Sequence, residues 1–321
     1  MTFPPLIQAP RGAEPRDLAA RLRDDREALA AELRSSGAIL FRGFDVTEPA
    51  QLSALLDAAG ARPMDYIAGD SPRSKLGSKV YTSTEAPPAI RIPLHHELSY
   101  LDSYPRHLWM ACAKPADEGG ATIVGDGRAI LNAIDSSVRE RFVRRGIRYR
   151  CAFRGSRGLL AIADRLFRAS KSWMDAFATD DPHVAEARCR KMADSIRWTP
   201  NGTLVFEKVR RATLEHPETG DEAWFNQAHL FLLSWRYLGR LRCAAARALF
   251  YDRSTRPHHA TYGDGAPIEA ESIDHIHDVL DESTVPVDWQ RGDVLWLDNR
   301  TCMHGRAPFR GNRRIMLAMS A

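Results

Sequence analysis

Cysteine is scarce in this chain and poorly placed for pairing. The 321 residues hold five (Cys112, Cys151, Cys189, Cys243 and Cys302). The number is odd and no CxxC spacing occurs, which argues against a disulfide framework or a structural zinc site. Long apolar runs are lacking too. The longest, such as Gly37 to Phe41, are far too short to span a bilayer. The segment Met1-Thr2-Phe3-Pro4-Pro5 has no basic head leading into an apolar stretch, so no secretory signal is read. No low-complexity tract and no repeat at solenoid spacing is found. The expectation is a soluble, cytoplasmic globular protein with no membrane partner.

What is present begins with arginine. Net charge is +4, and much of the positive side clusters between Arg139 and Arg157. A basic patch suggests nucleic acid, but no nucleic-acid motif accompanies this one. It reads as a solvated helix face followed by a strand, with no nucleic-acid partner and an acidic protein partner as the functional alternative.

Hydrophobic spacing places the elements. Pro15 to Ser35 reads as an amphipathic helix, with Leu18, Leu22, Leu29 and Leu33 near helical spacing and Pro15 at a first-turn position that needs no N–H. Gly37 ends it, and Ala38 to Arg42 reads as a buried strand. A second helix is expected from Pro49 to about Ala59, and a strand from Lys79 to Thr84. Residues from Ser136 to about Trp198 read as a largely helical insert. A hairpin is expected at His216 to Asp221, and two late strands at Asp293–Leu297 and Arg314–Met319. No Gly/Ser-rich linker interrupts the chain, so residues 1–321 are read as one β-rich domain with helices packed outside.

Within Pro93-Leu94-His95-His96-Glu97-Leu98, His95 and Glu97 are two apart, and on extended chain such residues share a face. Two imidazoles and a carboxylate suit a divalent iron site with open positions for a chelating cosubstrate and oxygen. His304 supplies the second imidazole. The pair alone is a weak signal among 11 histidines and 41 acidic residues. His96 is a rival ligand, but it faces away if its neighbours face in.

Several stretches occur in order: His95-x-Glu97, Lys114-Pro115-Ala116-Asp117-Glu118-Gly119-Gly120-Ala121-Thr122, Trp296-Leu297-Asp298-Asn299-Arg300, His304-Gly305-Arg306 and Gly311-Asn312-Arg313-Arg314-Ile315. Together they resemble the taurine dioxygenase (TauD/TfdA) superfamily of iron(II)/2-oxoglutarate oxygenases. Ser71-Pro72-Arg73, Tyr81-Thr82-Ser83-Thr84 and His216-Pro217-Glu218-Thr219-Gly220 running into Trp224-Phe225-Asn226-Gln227 look like its SyrP-like branch of amino-acid hydroxylases. The resemblance covers roughly residues 36 to 319. It implies a double-stranded β-helix (jelly-roll, clavaminate synthase-like) core with the metal at its open mouth. It also implies that His95, Glu97 and His304 hold Fe(II), that Thr122 and Arg314 hold the distal carboxylate of 2-oxoglutarate, and that O2 is the second cosubstrate. Guanidinium suits a buried carboxylate because it pairs bidentately and stays charged. Arg313 competes with Arg314; on a strand only one of them points inward, and Arg314 is favoured.

The implied reaction couples oxidative decarboxylation of 2-oxoglutarate to attack on a substrate C–H bond. Related halogenases replace the metal carboxylate with a small residue, so Glu97 favours hydroxylation; desaturation, epoxidation and oxidative decarboxylation use the same triad. Arg73, Asn226 and Arg306 are the expected substrate contacts. Where the branch usually has Arg-Asn-Tyr after a strand, this chain has Arg150-Cys151-Ala152-Phe153. The implied substrate is an amino acid or an aminoacyl group on a carrier protein in natural-product (antibiotic) biosynthesis, with the Arg139–Arg157 patch docking an acidic carrier. The competing classes are a metal hydrolase on the same scaffold and a non-catalytic jelly-roll binding protein.

Overall fold

The strand Ala38–Arg42 forms where its apolar run predicts, and it explains why the core strands are apolar on both faces. Ile39 and Phe41 enter one buried cluster, Ala38 and Leu40 another. Residues i and i+2 share a face, so this strand is covered on both sides. The computed structural model describes residues 3–67, 69, 73–155, 171–250 and 256–321.

Ala38–Arg42 belongs to a seven-stranded sheet. Its order is Leu6–Gln8, Ala38–Arg42, Val294–Asp298, His107–Lys114, Arg314–Ser320, Val80–Thr82 and Lys75–Gly77. A four-stranded antiparallel sheet runs Val285–Val287, Thr122–Asp126, Cys302–Arg306 and Ile92–His95. Leu40, Met110, Leu297 and Leu317 from the larger sheet meet Val124, Val287 and Cys302 from the smaller in one buried cluster. Two sheets closed over a shared interior make the jelly-roll core.

Helices cover the outer face of the larger sheet. The expected helix from Pro15 is two helices, Pro15–Asp24 and Arg26–Ser36. The chain leaves helical geometry at Asp25 (φ −101°, ψ 22°), letting Leu18 and Leu22 on one side and Leu29 and Leu33 on the other reach the same core. The second predicted helix spans Pro49–Ala58, with Pro49 in its first turn and Glu48 and Gln51 satisfying each other's backbone N–H groups. Val80–Thr82 is shorter than the strand predicted there.

The segment from Ser136 to Trp198 corrects the reading of a largely helical insert. Helix Ser136–Arg145 is followed by the seven-residue strand Ile147–Phe153. That strand pairs on both sides in a separate four-stranded sheet with Ser195–Trp198, Leu204–Arg210 and His258–Tyr262. This is the strand read after the basic helix face, and along it Arg148 and Arg150 alternate with the buried Ile147, Tyr149 and Cys151. Residues 156–170 of the segment lie outside the described residues. The hairpin forms as predicted, between Thr213–Glu215 and Glu222–Trp224.

Among the described residues no helix is long and apolar enough to cross a membrane. All five cysteines are buried and none forms a disulfide.

Candidate metal and cosubstrate site

Pairing of two strands in the smaller sheet brings the histidines together. His95 ends Ile92–His95, and His304 sits in the middle of Cys302–Arg306 directly opposite it. Their ring centroids are 4.4 Å apart. Gly305 permits the approach, since a Cβ there would stand 2.4 Å from the Ile92 carbonyl oxygen. The strand stops at His95 and turns. The next two residues carry Glu97 round to the same point, so the trio is made by a strand end and a turn rather than by extended chain alone.

One ligand atom from each of His95, Glu97 and His304 lies within 4.8 Å of the others. A Glu97 oxygen is 3.5 Å from His304 Nε2 and 2.7 Å from the Arg73 guanidinium. Burial, with the neighbouring His304, pushes the His95 imidazole down to about 3, so the ring is neutral and offers a lone pair at neutral pH. Its Nδ1 lies 3.0 Å from the Pro93 carbonyl, which leaves Nε2 as the free donor. Burial would raise Glu97, but Arg73 and then His304 outweigh it and hold the carboxyl ionised, well below the usual range. Buried His304 Nδ1 has no partner. Two imidazoles and one carboxylate on one side of a point, facing a cavity, fit a divalent iron with positions to spare.

His96, the rival ligand, is turned away. Its ring nitrogens lie 2.6 Å from the Asn299 carbonyl and 2.8 Å from that of Trp224.

The triad opens on a cavity of about 490 Å³. One group of lining residues is cationic and polar: Arg306, Arg313, Ser83 and Thr122. Arg313 donates from Nε to the Gly120 carbonyl (2.8 Å), and a terminal nitrogen lies 3.3 Å from Thr122 Oγ1. Arg306 donates to the carbonyls of Ala86, Pro87 and Ile90. Neither has a carboxylate partner among the described residues. Burial lowers both guanidinium groups to about 10, and for Arg313 the nearby Arg306 adds to the effect. Two desolvated cations without an anion are costly unless a ligand supplies one. A dicarboxylate fits that deficit.

The placement of Arg314 is a correction. It is exposed and does not line the cavity, whereas Arg313 does. A register shift separates Arg314 from Ile315, and Ile315, Leu317 and Met319 face the jelly-roll interior. Arg313 has their parity and Arg314 the opposite one. Met316 and Ala318 are equally buried under the helices, so the sequence could not say which face was the interior.

The three expected substrate contacts divide. Arg73 lines the cavity, but Glu97 answers its charge. Residues 71 and 72 of its motif lie outside the described residues. Arg306 also lines the cavity. Asn226 is a correction: its amide donates to the Ala212 carbonyl and its oxygen accepts from the Ala228 N–H, so it is spent on backbone and does not line the cavity. Its neighbour Gln227 does, among Leu98, Tyr100, Phe231 and Phe250. Sequence reasoning missed Gln227 because adjacent amides give no signal of which one faces inward. It also missed Trp289, whose indole donates to Thr122 Oγ1 at 3.0 Å.

Comparison with known proteins is consistent with this geometry. The family model described as taurine catabolism dioxygenase TauD, TfdA family matches residues 2–320. The chain belongs to this family of iron(II)- and 2-oxoglutarate-dependent oxygenases. It is 35% identical over 287 residues to the dapdiamide synthesis protein DdaC of Enterobacter agglomerans, covering 89% of this chain and 83% of that one. It is 28% identical over 304 residues to a clavaminate synthase-like protein of Arabidopsis thaliana, covering 93% and 86%. Among solved structures its fold is similar to that of an asparagine oxygenase in complex with Fe(II), hydroxyasparagine and succinate. There the TM-score is 0.57 at 12% identity, covering 98% of this chain and 93% of that one. It is similar also to PvcB, an iron, α-ketoglutarate-dependent oxygenase from an isonitrile synthetic pathway, with a TM-score of 0.52 at 16% identity, covering 98% and 84%. The family places the chain among dioxygenases rather than metal hydrolases or binding proteins.

Proposed function

We propose that this oxygenase hydroxylates a C–H bond of an amino acid or an amino-acid derivative in natural-product biosynthesis, with His95, Glu97 and His304 as the metal ligands. The observation that carries the reading is the division of the cavity lining. The triad faces both a cationic group of residues without an anion and an apolar group containing one uncharged amide. The first suits 2-oxoglutarate and the second suits an organic substrate with a polar group to be read. DdaC's part in dapdiamide synthesis supports the biosynthetic setting.

When bound, iron and 2-oxoglutarate supply the oxidative decarboxylation that is coupled to substrate oxidation. The chain supplies the rest. Arg313, with Thr122 beside it, grips the distal carboxylate of the cosubstrate, and Arg306 adds positive charge to the same group of residues. Glu97 would hold the metal through its carboxylate, where related halogenases carry a small residue. Leu98, Tyr100, Phe231 and Phe250 exclude water around the bond to be oxidised, and Gln227 can both donate to and accept from a substrate amide or carboxylate. Arg73 neutralises Glu97 from the cavity side.

A substrate tethered to an acidic carrier protein is the second reading, and the docking surface needs relocating. In the basic patch Arg145 pairs with Asp264, while Arg148 and Arg141 lie 3.9 and 4.0 Å from Glu207 and Glu269; Arg157 lies outside the described residues. Helix Arg240–Leu249 is better placed. Ala246 and Arg242 line the cavity, while Leu241 is 88% exposed and Arg240 and Arg247 are exposed beside it.

The test is a screen of free and carrier-tethered amino acids for substrate-dependent succinate release, with mass analysis of products. A gain of one oxygen atom on an amino-acid substrate is the expected result. Loss of two hydrogens would replace hydroxylation by desaturation, and turnover only of substrates without an amino-acid moiety would overturn the proposal.

A further inference from the structure

Glu97 is held from behind as well as from in front. Its carboxylate meets Arg73 and His304, but its backbone is gripped by one side chain from about two hundred residues later. Asn299 Oδ1 accepts the Glu97 N–H at 2.8 Å, and Nδ2 donates to the Glu97 carbonyl at 3.0 Å and the Pro105 carbonyl at 2.9 Å. The Asn299 backbone is tied down as well, its N–H donating to the Arg106 carbonyl at 2.8 Å and its carbonyl lying 2.6 Å from the His96 ring. Asn299 is 0% exposed.

A primary carboxamide offers one acceptor and two donors, and here all three are directed at main chain. Aspartate would turn an oxygen toward two carbonyl oxygens, and an apolar residue would leave three buried backbone groups without a partner. The backbone at this point also needs holding. Leu98, next to Glu97, sits at φ +56°, a left-handed conformation that a leucine adopts at a cost of about 1–2 kcal/mol.

We propose that Asn299 is a positioning residue that presents Glu97 in its metal-binding geometry before the metal arrives. The inference rests on the reading of His95, Glu97 and His304 as ligands, and adds what aligns one of them. Partners of this kind, one shell out from a metal, change affinity by about 10- to 100-fold when removed. Asn299 works through main chain rather than through the ligand's side chain.

Cobalt(II), added anaerobically to the full chain, is the probe, read by its visible absorption and by competition with a chelator. Asn299→Ala and Asn299→Asp should each weaken cobalt binding about 10- to 100-fold and alter the shape of the visible band. Asn226→Ala is the comparator, since it removes an equally buried amide that bonds backbone away from the ligands; it should leave both within about twofold. In the unsubstituted, metal-free protein the Glu97 amide should already exchange slowly with solvent deuterium, a measurement that stands even if the variants fail to fold. Fast exchange there, or variants that bind cobalt like the parent with an unchanged band, would overturn the proposal. If the unsubstituted chain binds no cobalt, the ligand reading itself fails and this inference falls with it.

Discussion

Thr122 Oγ1 receives the Trp289 indole N–H at 3.0 Å and lies 3.3 Å from a guanidinium nitrogen of Arg313. Two donors directed at one hydroxyl oxygen occupy its lone pairs, so its own proton is left to point at a ligand. A carboxylate reaching Arg313 would meet that proton. Arg313→Gln is therefore expected to weaken 2-oxoglutarate binding by roughly 10- to 100-fold, the scale of a lost charge-assisted bond. Arg314→Gln should leave it within about twofold. Titration of the metal-loaded enzyme with 2-oxoglutarate checks both, and an effect confined to Arg314 would reverse the assignment.

The triad makes a sharper demand. His304→Ala and Glu97→Ala should each abolish the visible charge-transfer band that forms when iron(II) and 2-oxoglutarate are added without oxygen. Each should also abolish succinate release that depends on substrate. A full band in either variant would remove that residue from the ligand set.

Asn226 and Gln227 are neighbours with opposite duties. Asn226→Ala leaves the buried Ala228 N–H without its partner and takes one of two donors from the Ala212 carbonyl, and should cost about 1–3 kcal/mol in urea denaturation. Gln227→Leu keeps the volume but removes a polar group that lines the cavity. It should leave the denaturation midpoint nearly unchanged and raise the substrate KM by about tenfold. A destabilised Gln227→Leu with normal kinetics would contradict that division.

Acid should weaken the fold in a specific window. Burial pushes His107 from 6.5 down to about 4 and holds His229 well below 6.5. As pH falls below about 6.5 the unfolded chain takes up these protons while the native state refuses them, so stability falls until the native groups titrate. For His107 the span is about 6.5 to 4 and the loss about 1–3 kcal/mol. Urea midpoints of the metal-free protein at pH 7 and pH 4.5 measure it. His107→Gln should shrink the difference, and an unchanged difference would remove His107 from the account.

The parts of this molecule that were legible in sequence are those where one residue type admits one use. Ala38–Arg42, the His216–Asp221 hairpin and the meeting of His95, Glu97 and His304 could be read because apolar runs, turn residues and the triad motifs have few alternatives. Choices between neighbours were not legible. Arg313 against Arg314 depends on which face of a doubly covered strand is interior, and Asn226 against Gln227 on which amide the backbone consumes. Strand Ile147–Phe153 was legible as the strand after the basic helix face, but the internal partners of its arginines were not: Arg148 at the Gly263 carbonyl and Arg150 at that of Arg256.

The pairing of His95 with His304 carries a consequence for biogenesis. The two strands that hold them lie about two hundred residues apart, and neither histidine has its partner until both have joined the smaller sheet. A chain still emerging from the ribosome, with its last strands unmade, therefore has no intact pocket in which to capture iron. On the reading of these residues as metal ligands, iron loading would follow the pairing of the two strands.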